Sequence, residues 1–406
     1  MHQNTHDTIK LTLDLDLCQQ PNEETKAAFY RARPTQASYS VDECKPVRYG
    51  HFGFNFIKIN ETERTIFIDI TSKILGENYP QGIHAENVSA AIDTINRTGL
   101  IFISPEALET AEVTWLDPKV DCILPRPHAD TIRITKAIHV PNKFKVATAG
   151  KVSKRTFQTL YFERNTVSEK PNYIFRLYKK DEEMKDKKNL NFNLSLKEKA
   201  AEVMAQLAGK TSIEGSYKSK AEIRKAYGLA KDAKTLLLPL LQSTVNPLLT
   251  RWQDILKDFE QAQPITIENT TSPDMNNLYK LFIQRLSKNP DQKPAQNLKD
   301  ISAFTEIMAY TFDWESICLF VNETCQNKNT RTGKRKQYRK MLSKWQQFQN
   351  NISSTDFAVF AEISDALKDK PAVRAVAHAA TDVEKADEEY FKLLATIERE
   401  PEWLPY

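Results

Sequence analysis

The sequence predicts an α+β protein: an N-terminal, mainly antiparallel sheet with packed helices, then an all-helical C-terminal part. Three observations carry this. Segments alternating apolar and polar residues at period two crowd the first half of the chain. Two β-rich runs, Thr159–Phe162 and Tyr173–Tyr178, flank a polar, Pro-containing segment and read as a hairpin. From about Asp232 onward the apolar spacing is helical only. The implied domains are 1–231 and 232–406. A chain of 406 residues is longer than one ordinary domain.

The elements follow in order. Thr8–Leu17 (TIKLTLDLDL) alternates strictly and makes a first strand. Gly50–Ile59 and Thr65–Ile70 (TIFIDI) make the next two, around the polar turn NETER. A loop with Gly76 and Gly82 leads to a helix from about Ala85 to Thr98, stopped by Gly99. Val113–Leu124 (VTWLDPKVDCIL) is a strand pair or one bent strand, containing Asp117 and Asp121. Asp130–Ile138 reads as a helix. After the hairpin, Lys179–Gly209 favours helix apart from a polar break at NLNFNLS. Thr211–Tyr217 is a short strand, and KAEIRKAYGL a short helix capped by Gly228. Beyond residue 232, helices alternate with polar, Pro-containing joints.

Bulk chemistry excludes several classes. The chain carries 57 basic and 53 acidic residues, so any basic surface must be local. Five cysteines, with no CxxC pair, argue against structural zinc and a disulfide framework. No GxxxxGK[ST] or GxGxxG occurs. No segment has the apolar run of a membrane helix, and the polar start MHQNTHDTIK lacks a signal-peptide core. The expected location is the cytoplasm. The scattered His51, His84, His128 and His139 read as structural or exposed.

The hairpin carries the candidate chemistry. Alternation puts Tyr173, Phe175 and Leu177 on one face and Ile174, Arg176 and Tyr178 on the other. Tyr178 sits where the strand hands over to a charged helix, with Arg176 and Lys180 close in sequence. A phenol has a pKa near 10 and needs a cation, a metal or a base beside it to act as a nucleophile. The same residues also suit an ordinary hairpin tyrosine with solvated lysines. Three acids lie in or beside apolar β runs: Asp69, Asp121 and Glu214. Such oxygens suit Mg²⁺ or Mn²⁺ if they meet at one end of a sheet. Each acid could equally point outward on an alternating strand.

Four blocks in order, spanning roughly Ile57 to Leu229, carry a resemblance. They are FNFIKINETERTIFIDITSKILGEN, VTWLDPKVDCIL, FRLYKKDEEM and SIEGSYKSKAEIRKAYGL. Together they resemble the rolling-circle replication initiators of filamentous phages, the gene-two and gene-ten endonucleases, and related phage and plasmid initiators. Lys119, Val120 and Asp121 match that family's Arg-Ile-Asp strand. Tyr178, Lys180 and Glu183 match its Tyr-x-Lys-x-x-Glu stretch. Ser212 stands where the family has Arg, and Lys119 replaces an Arg.

The resemblance implies an HUH/Rep-like nickase domain that starts rolling-circle replication. Tyr178 would attack one phosphodiester of single-stranded or supercoiled origin DNA, leaving a 3′ hydroxyl and a 5′ phosphotyrosine. Asp69, Asp121 and Glu214 would hold a divalent ion, Mg²⁺ or Mn²⁺. Lys180 would lower the tyrosine pKa or contact phosphate, and Glu183 would ligate or orient. Host helicase and replication machinery are the implied partners. The rival reading is a non-catalytic DNA-binding or scaffold protein.

A second candidate surface is Lys328–Lys344, KNTRTGKRKQYRKMLSK, with eight basic residues and no acid. Lys336, Lys340 and Lys344 share a helical face, and Arg335 and Arg339 flank it. Tyr338 and Trp345 are nearby aromatics. Such a face contacts DNA phosphates without reading bases, or is simply a solvated helix face. An acidic final helix with Glu384, Asp387, Glu388 and Glu389 could dock on it.

Overall fold

Alternating strands with one apolar face bury it most fully side by side, and here ten of them join in one antiparallel sheet. The computed structural model describes residues 4–34, 40–139, 143–149, 159–164, 173–262, 275–289, 292–308, 314–350 and 358–368. The strands are β1 (Thr5–Asp14), β2 (Cys18–Gln19), β3 (Arg31–Pro34), β4 (Ser40–Cys44), β5 (Phe54–Asn60) and β6 (Thr65–Thr71). They continue with β7 (Phe102–Ile103), β8 (Glu112–Cys122), β9 (Phe144–Ala149), β10 (Thr159–Arg164), β11 (Tyr173–Lys179) and β12 (Thr211–Gly215). The sheet order is β3-β4-β5-β6-β1-β8-β12-β11-β10-β9, and β2 pairs with β7 alone.

Register decides which residues share a face. Ile9 stands opposite Ile70 on β6 and Leu116 on β8, while Lys10 stands opposite Asp69 and Trp115. The Ile9 face is mainly apolar, with the buried His6 among its few polar residues. Leu11, Leu13, Ile57, Ile66 and Ile68 are fully buried or nearly so. Helices Val88–Arg97, Pro105–Thr110, Lys220–Tyr227 and Leu237–Gln242 contribute to this core. Farther along the same face, Val120, Ile213, Phe175 and Leu177 meet Pro247–Ala262 and the helices after it. Trp252 lies 5.3 Å from Phe175 and 5.5 Å from Phe162, centroid to centroid.

The chain beyond residue 232 therefore shares cores with the sheet. The Leu237 N–H donates to the Ala111 carbonyl at 2.9 Å, and the Val113 N–H to the Thr235 carbonyl at 2.7 Å. Leu237, Leu240 and Leu241 belong to the N-terminal core.

The block VTWLDPKVDCIL forms one continuous strand as far as Cys122, although Pro118 lacks a donor for a central ladder. The ladder accommodates it through a β-bulge in β1: His6 pairs with Pro118 and Thr8 with Asp117, leaving Asp7 as the extra residue. A bulge re-aims the side chain of its extra residue, and Asp7 points to the opposite, polar face. The hairpin forms as expected, with Tyr178 opposite Thr159 and Arg176 opposite Tyr161.

Other expectations change. Residues 15–17 turn into a 3₁₀ helix. The NLNFNLS segment is itself helical at Leu190–Ser195. Its asparagines bond locally: Asn193 Nδ2 donates to the Met184 carbonyl at 2.7 Å, and Asn189 Nδ2 to that of Glu183 at 2.6 Å. Strands β3, β4 and β9 and helix Ala358–Lys368 were not anticipated from sequence, although Val359, Phe360, Ile363 and Leu367 of that helix have helical spacing. The acidic helix with Glu384, Asp387, Glu388 and Glu389 lies outside the described residues. Among the described residues no helix is long and apolar enough to cross a membrane.

Two buried histidines make the fold acid-sensitive. His6 bonds to the Ile83 carbonyl and the Tyr227 hydroxyl, and His139 stacks on Phe259. Burial lowers both to about 4. The unfolded chain then binds protons at these sites that the folded chain refuses, so this contribution falls as pH drops from about 6.5 to 4. Urea unfolding across that range should show stability falling, and His6→Gln should make the fall shallower. An unchanged pH slope in that variant would remove His6 from the account.

Candidate active site

The polar face of β11, β12 and β8 collects charged side chains by register. Arg176 stands opposite Glu214, which stands opposite Lys119; Tyr178 stands opposite Ser212, which stands opposite Asp121. The residues after β11 turn immediately into helix Lys180–Met184, folding Lys180 back over the strand end. That helix, Leu190–Ser195 and Ala200–Leu207 cover this end of the face together with the 3₁₀ segment Ser72–Gln81. Their shared core holds Tyr79, Met184, Phe192, Val203 and Leu207. Lys73 Nζ ties the two parts by donating to Asn189 Oδ1 at 2.6 Å. Gly82, with φ 70°, ends the 3₁₀ segment where a Cβ would meet Lys119 Cε at 2.9 Å, so a side chain there would displace Lys119.

Tyr178 is the centre of the cluster. Its hydroxyl donates to Glu214 Oε1 and accepts from Lys180 Nζ at 2.8 Å. Arg176 Nε donates to Glu214 Oε2 at 2.5 Å. Lys180 Nζ also lies 3.2 Å from Glu183 Oε2 and 3.8 Å from both Asp7 Oδ1 and Glu214 Oε1. Asp7 Oδ1 accepts from Ser72 Oγ at 2.8 Å. Lys119 Nζ and Lys180 Nζ each sit 5.0 Å from the Tyr79 ring centroid. Tyr178 is 5 % exposed, whereas the Arg176 side chain is 38 % exposed, so solvent reaches the cluster from the Arg176 side.

Burial sets the protonation states. It pushes Tyr178 well above the usual phenol range; the Glu214 charge adds to the rise, and Lys180 opposes it. Tyr178 is therefore a neutral phenol at pH 7. Burial alone would lower Lys180, but the charges of Asp7 and Glu183, with the Tyr178 oxygen accepting its hydrogen bond, keep the ammonium charged. Burial would likewise raise Asp7; Lys180, Lys119 and Arg176 hold it well below the usual carboxylate range instead. Asp117 goes the other way: burial raises it to about 6, against Arg176 and its bonds from Ser216 and Trp115.

The structure gathers Tyr178, Lys180, Glu183, Glu214 and Arg176, and does not gather the expected metal ligands. Asp69 on β6 is three strand spacings from Glu214 on β12, roughly 14 Å. It pairs with Lys10 at 2.9 Å. Asp121 lies 3.4 Å from Lys119 Nζ, and among the described residues neither of its carboxylate oxygens has a hydrogen-bond partner. The acids that do converge are Asp7, Glu183 and Glu214, and the Lys180 ammonium fills the space between them. The residues therefore do not fit a divalent ion as they stand.

Asp7 and Tyr79 were missed from sequence. A polar residue near a strand start does not announce a bulge, and Tyr79 lies in what reads as a loop.

The basic helix forms as Lys328–Asn350. Lys336, Arg339 and Lys340 are exposed, and Arg335 donates to Asn322 Oδ1 at 2.5 Å. Lys344, the third member of the stripe, is held by Asp300 at 2.6 Å. Tyr338 and Trp345 are buried and join the helical core.

The raised Asp117 predicts a pH effect of the opposite sign to that of the histidines. The folded chain holds a proton that the unfolded chain gives up, so stability from this site is present below about 3.8 and is lost as pH rises through about 6. Asp117→Asn should therefore gain stability over wild type between pH 4 and pH 7.5. A constant difference across that range would rule the assignment out.

No protein-family model matches this chain, and a search of curated proteins finds no match.

Proposed function

We propose that this chain is a replication initiator whose Tyr178 nicks and rejoins origin DNA. The single observation that supports it most is the Tyr178 oxygen held between a carboxylate, Glu214, and an ammonium, Lys180. A nucleophile bonded to a base that a third group orients is the arrangement nucleophilic catalysis needs, and Arg176 orients Glu214. In the proposed step the phenol oxygen attacks phosphorus and its proton passes to Glu214. The P–O3′ bond breaks, and the departing O3′ takes that proton. The products are a 5′ phosphotyrosine and a 3′ hydroxyl, which can reverse the step. Lys180 and Arg176 offset charge growing on the phosphate. Because Tyr178 is buried, the DNA enters from the Arg176 side with the cover of helices 180–207 displaced. The nicking assay contains Mg²⁺ or Mn²⁺. Host helicase and replication machinery would act on the product.

The burial of Tyr178 favours the rival, a DNA-binding or scaffold protein in which the cluster only stabilises the fold. Covalent chemistry separates the two. With single-stranded origin DNA the wild type should form a protein–DNA adduct mapping to the Tyr178 peptide, and Tyr178→Phe should form none while still binding DNA. An adduct on any other residue, or no adduct at all, sinks the proposal.

The basic helix contributes phosphate contacts in this reading. Changing Lys336 and Lys340 to Glu should weaken binding to any DNA sequence and flatten the log–log salt slope by about 0.7 to 0.9 per lost contact. An unchanged slope would place that helix away from the DNA.

A further inference from the structure

The polar face of the sheet does not end at Tyr178. It continues across β8, β1, β6 and β5; Asp117 and Lys119 on β8 are buried, and from Trp115 across β1, β6 and β5 its residues are half-buried. Register sets them in two rows. The first runs Phe56, Asp69, Lys10, Trp115; the second runs Lys58, Phe67, Thr12, Glu112. Three aromatic side chains thus stand on three strands of a face that elsewhere holds threonines and charges. Phe56 and Phe67 lie 6.2 Å apart and line a depression with Thr12, Lys58 and Thr65. Trp115 carries Lys10 Nζ at 4.4 Å and Lys218 Nζ at 5.3 Å from its ring centroid. Asp69 is matched by Lys10 and Glu112 by Lys220.

We infer that this face is a binding platform for single-stranded DNA, leading unpaired bases toward the Arg176 side of the tyrosine cluster. Rings presented on a sheet stack with bases of any sequence, and cations beside them meet the backbone phosphates. Duplex DNA hides its base faces, so it cannot use such rings. The spacing suits a path: from β5 to β11 is five strand spacings, roughly 24 Å, with Trp115 partway and Arg176 at the far end. The inference rests on the nicking reading only for the kind of nucleic acid.

The test uses the full chain and fluorescence anisotropy with a labelled thymidine 20-mer, a 20-base-pair duplex and a uridine 20-mer. The thymidine strand should bind more tightly than the duplex and at least as tightly as the RNA. Phe56→Ala with Phe67→Ala should weaken thymidine-strand binding by about fivefold to a hundredfold. Lys58→Glu, a half-buried charge change that leaves both rings in place, should flatten the salt slope by about 0.7. Circular dichroism checks that each variant is folded. Preference for duplex or for RNA, no binding, or wild-type affinity and slope in the folded variants would overturn the inference. The adduct assay is separate: loss of the adduct with these binding effects intact sinks the nicking reading and leaves the platform standing.

Discussion

A lysine ammonium with a 1 % exposed side chain governs the polar half of this molecule. Charge in an apolar interior is costly unless it is paired and hydrogen-bonded. Lys180 meets that demand with Asp7, Glu183, Glu214 and the Tyr178 oxygen. The four partners come from four places: Asp7 from a bulge in β1, Tyr178 from the end of β11, Glu183 from the first turn after it, and Glu214 from β12. The bulge exists because Pro118 interrupts the ladder, so a proline in one strand aims a carboxylate of the next at a lysine far along the chain.

The two faces of the sheet then divide the labour. The Ile9 face is closed over by helices and supplies hydrophobic stability. The Lys10 face is covered at the β11–β12 end and open toward β5 and β6. The tyrosine cluster and the Phe56, Phe67 and Trp115 rings both fall on that second face, because alternation sends every second residue of all these strands to the same side. The cover over Tyr178 is built from short helices around a small core, with Lys73 and Asn189 linking its two parts.

The cluster was partly legible in the sequence. Tyr178, Lys180 and Glu183 lie within one turn of a strand-to-helix junction, and period-two alternation already put Arg176 beside Tyr178. Glu214 was visible as an acid in an apolar strand. Its role was not, because an acid in a strand can serve a metal, a lysine or solvent, and only the neighbouring strand decides which. Asp69 and Asp121 carry the same sequence signal as Glu214. Asp69 pairs with Lys10 on the neighbouring strand, whereas Asp121 pairs with Lys119 two residues back on its own strand, so similar local patterns lead to separate ion pairs.

What the sequence by itself determined is most of the sheet's strands and of the helices, the two hairpin runs and the face on which most of their residues lie. These depend on short-range periodicity and turn chemistry, which a single chain carries in full. The order of strands belongs to the tertiary structure alone. It puts β1 between β6 and β8, and β12 between β8 and β11. That order brings Asp7 to Lys180, keeps Asp69 away from Glu214 and lines up Phe56, Lys10 and Trp115 on one surface. Strand order is fixed by packing between residues as much as two hundred positions apart, and no local pattern encodes which distant edge a strand will find.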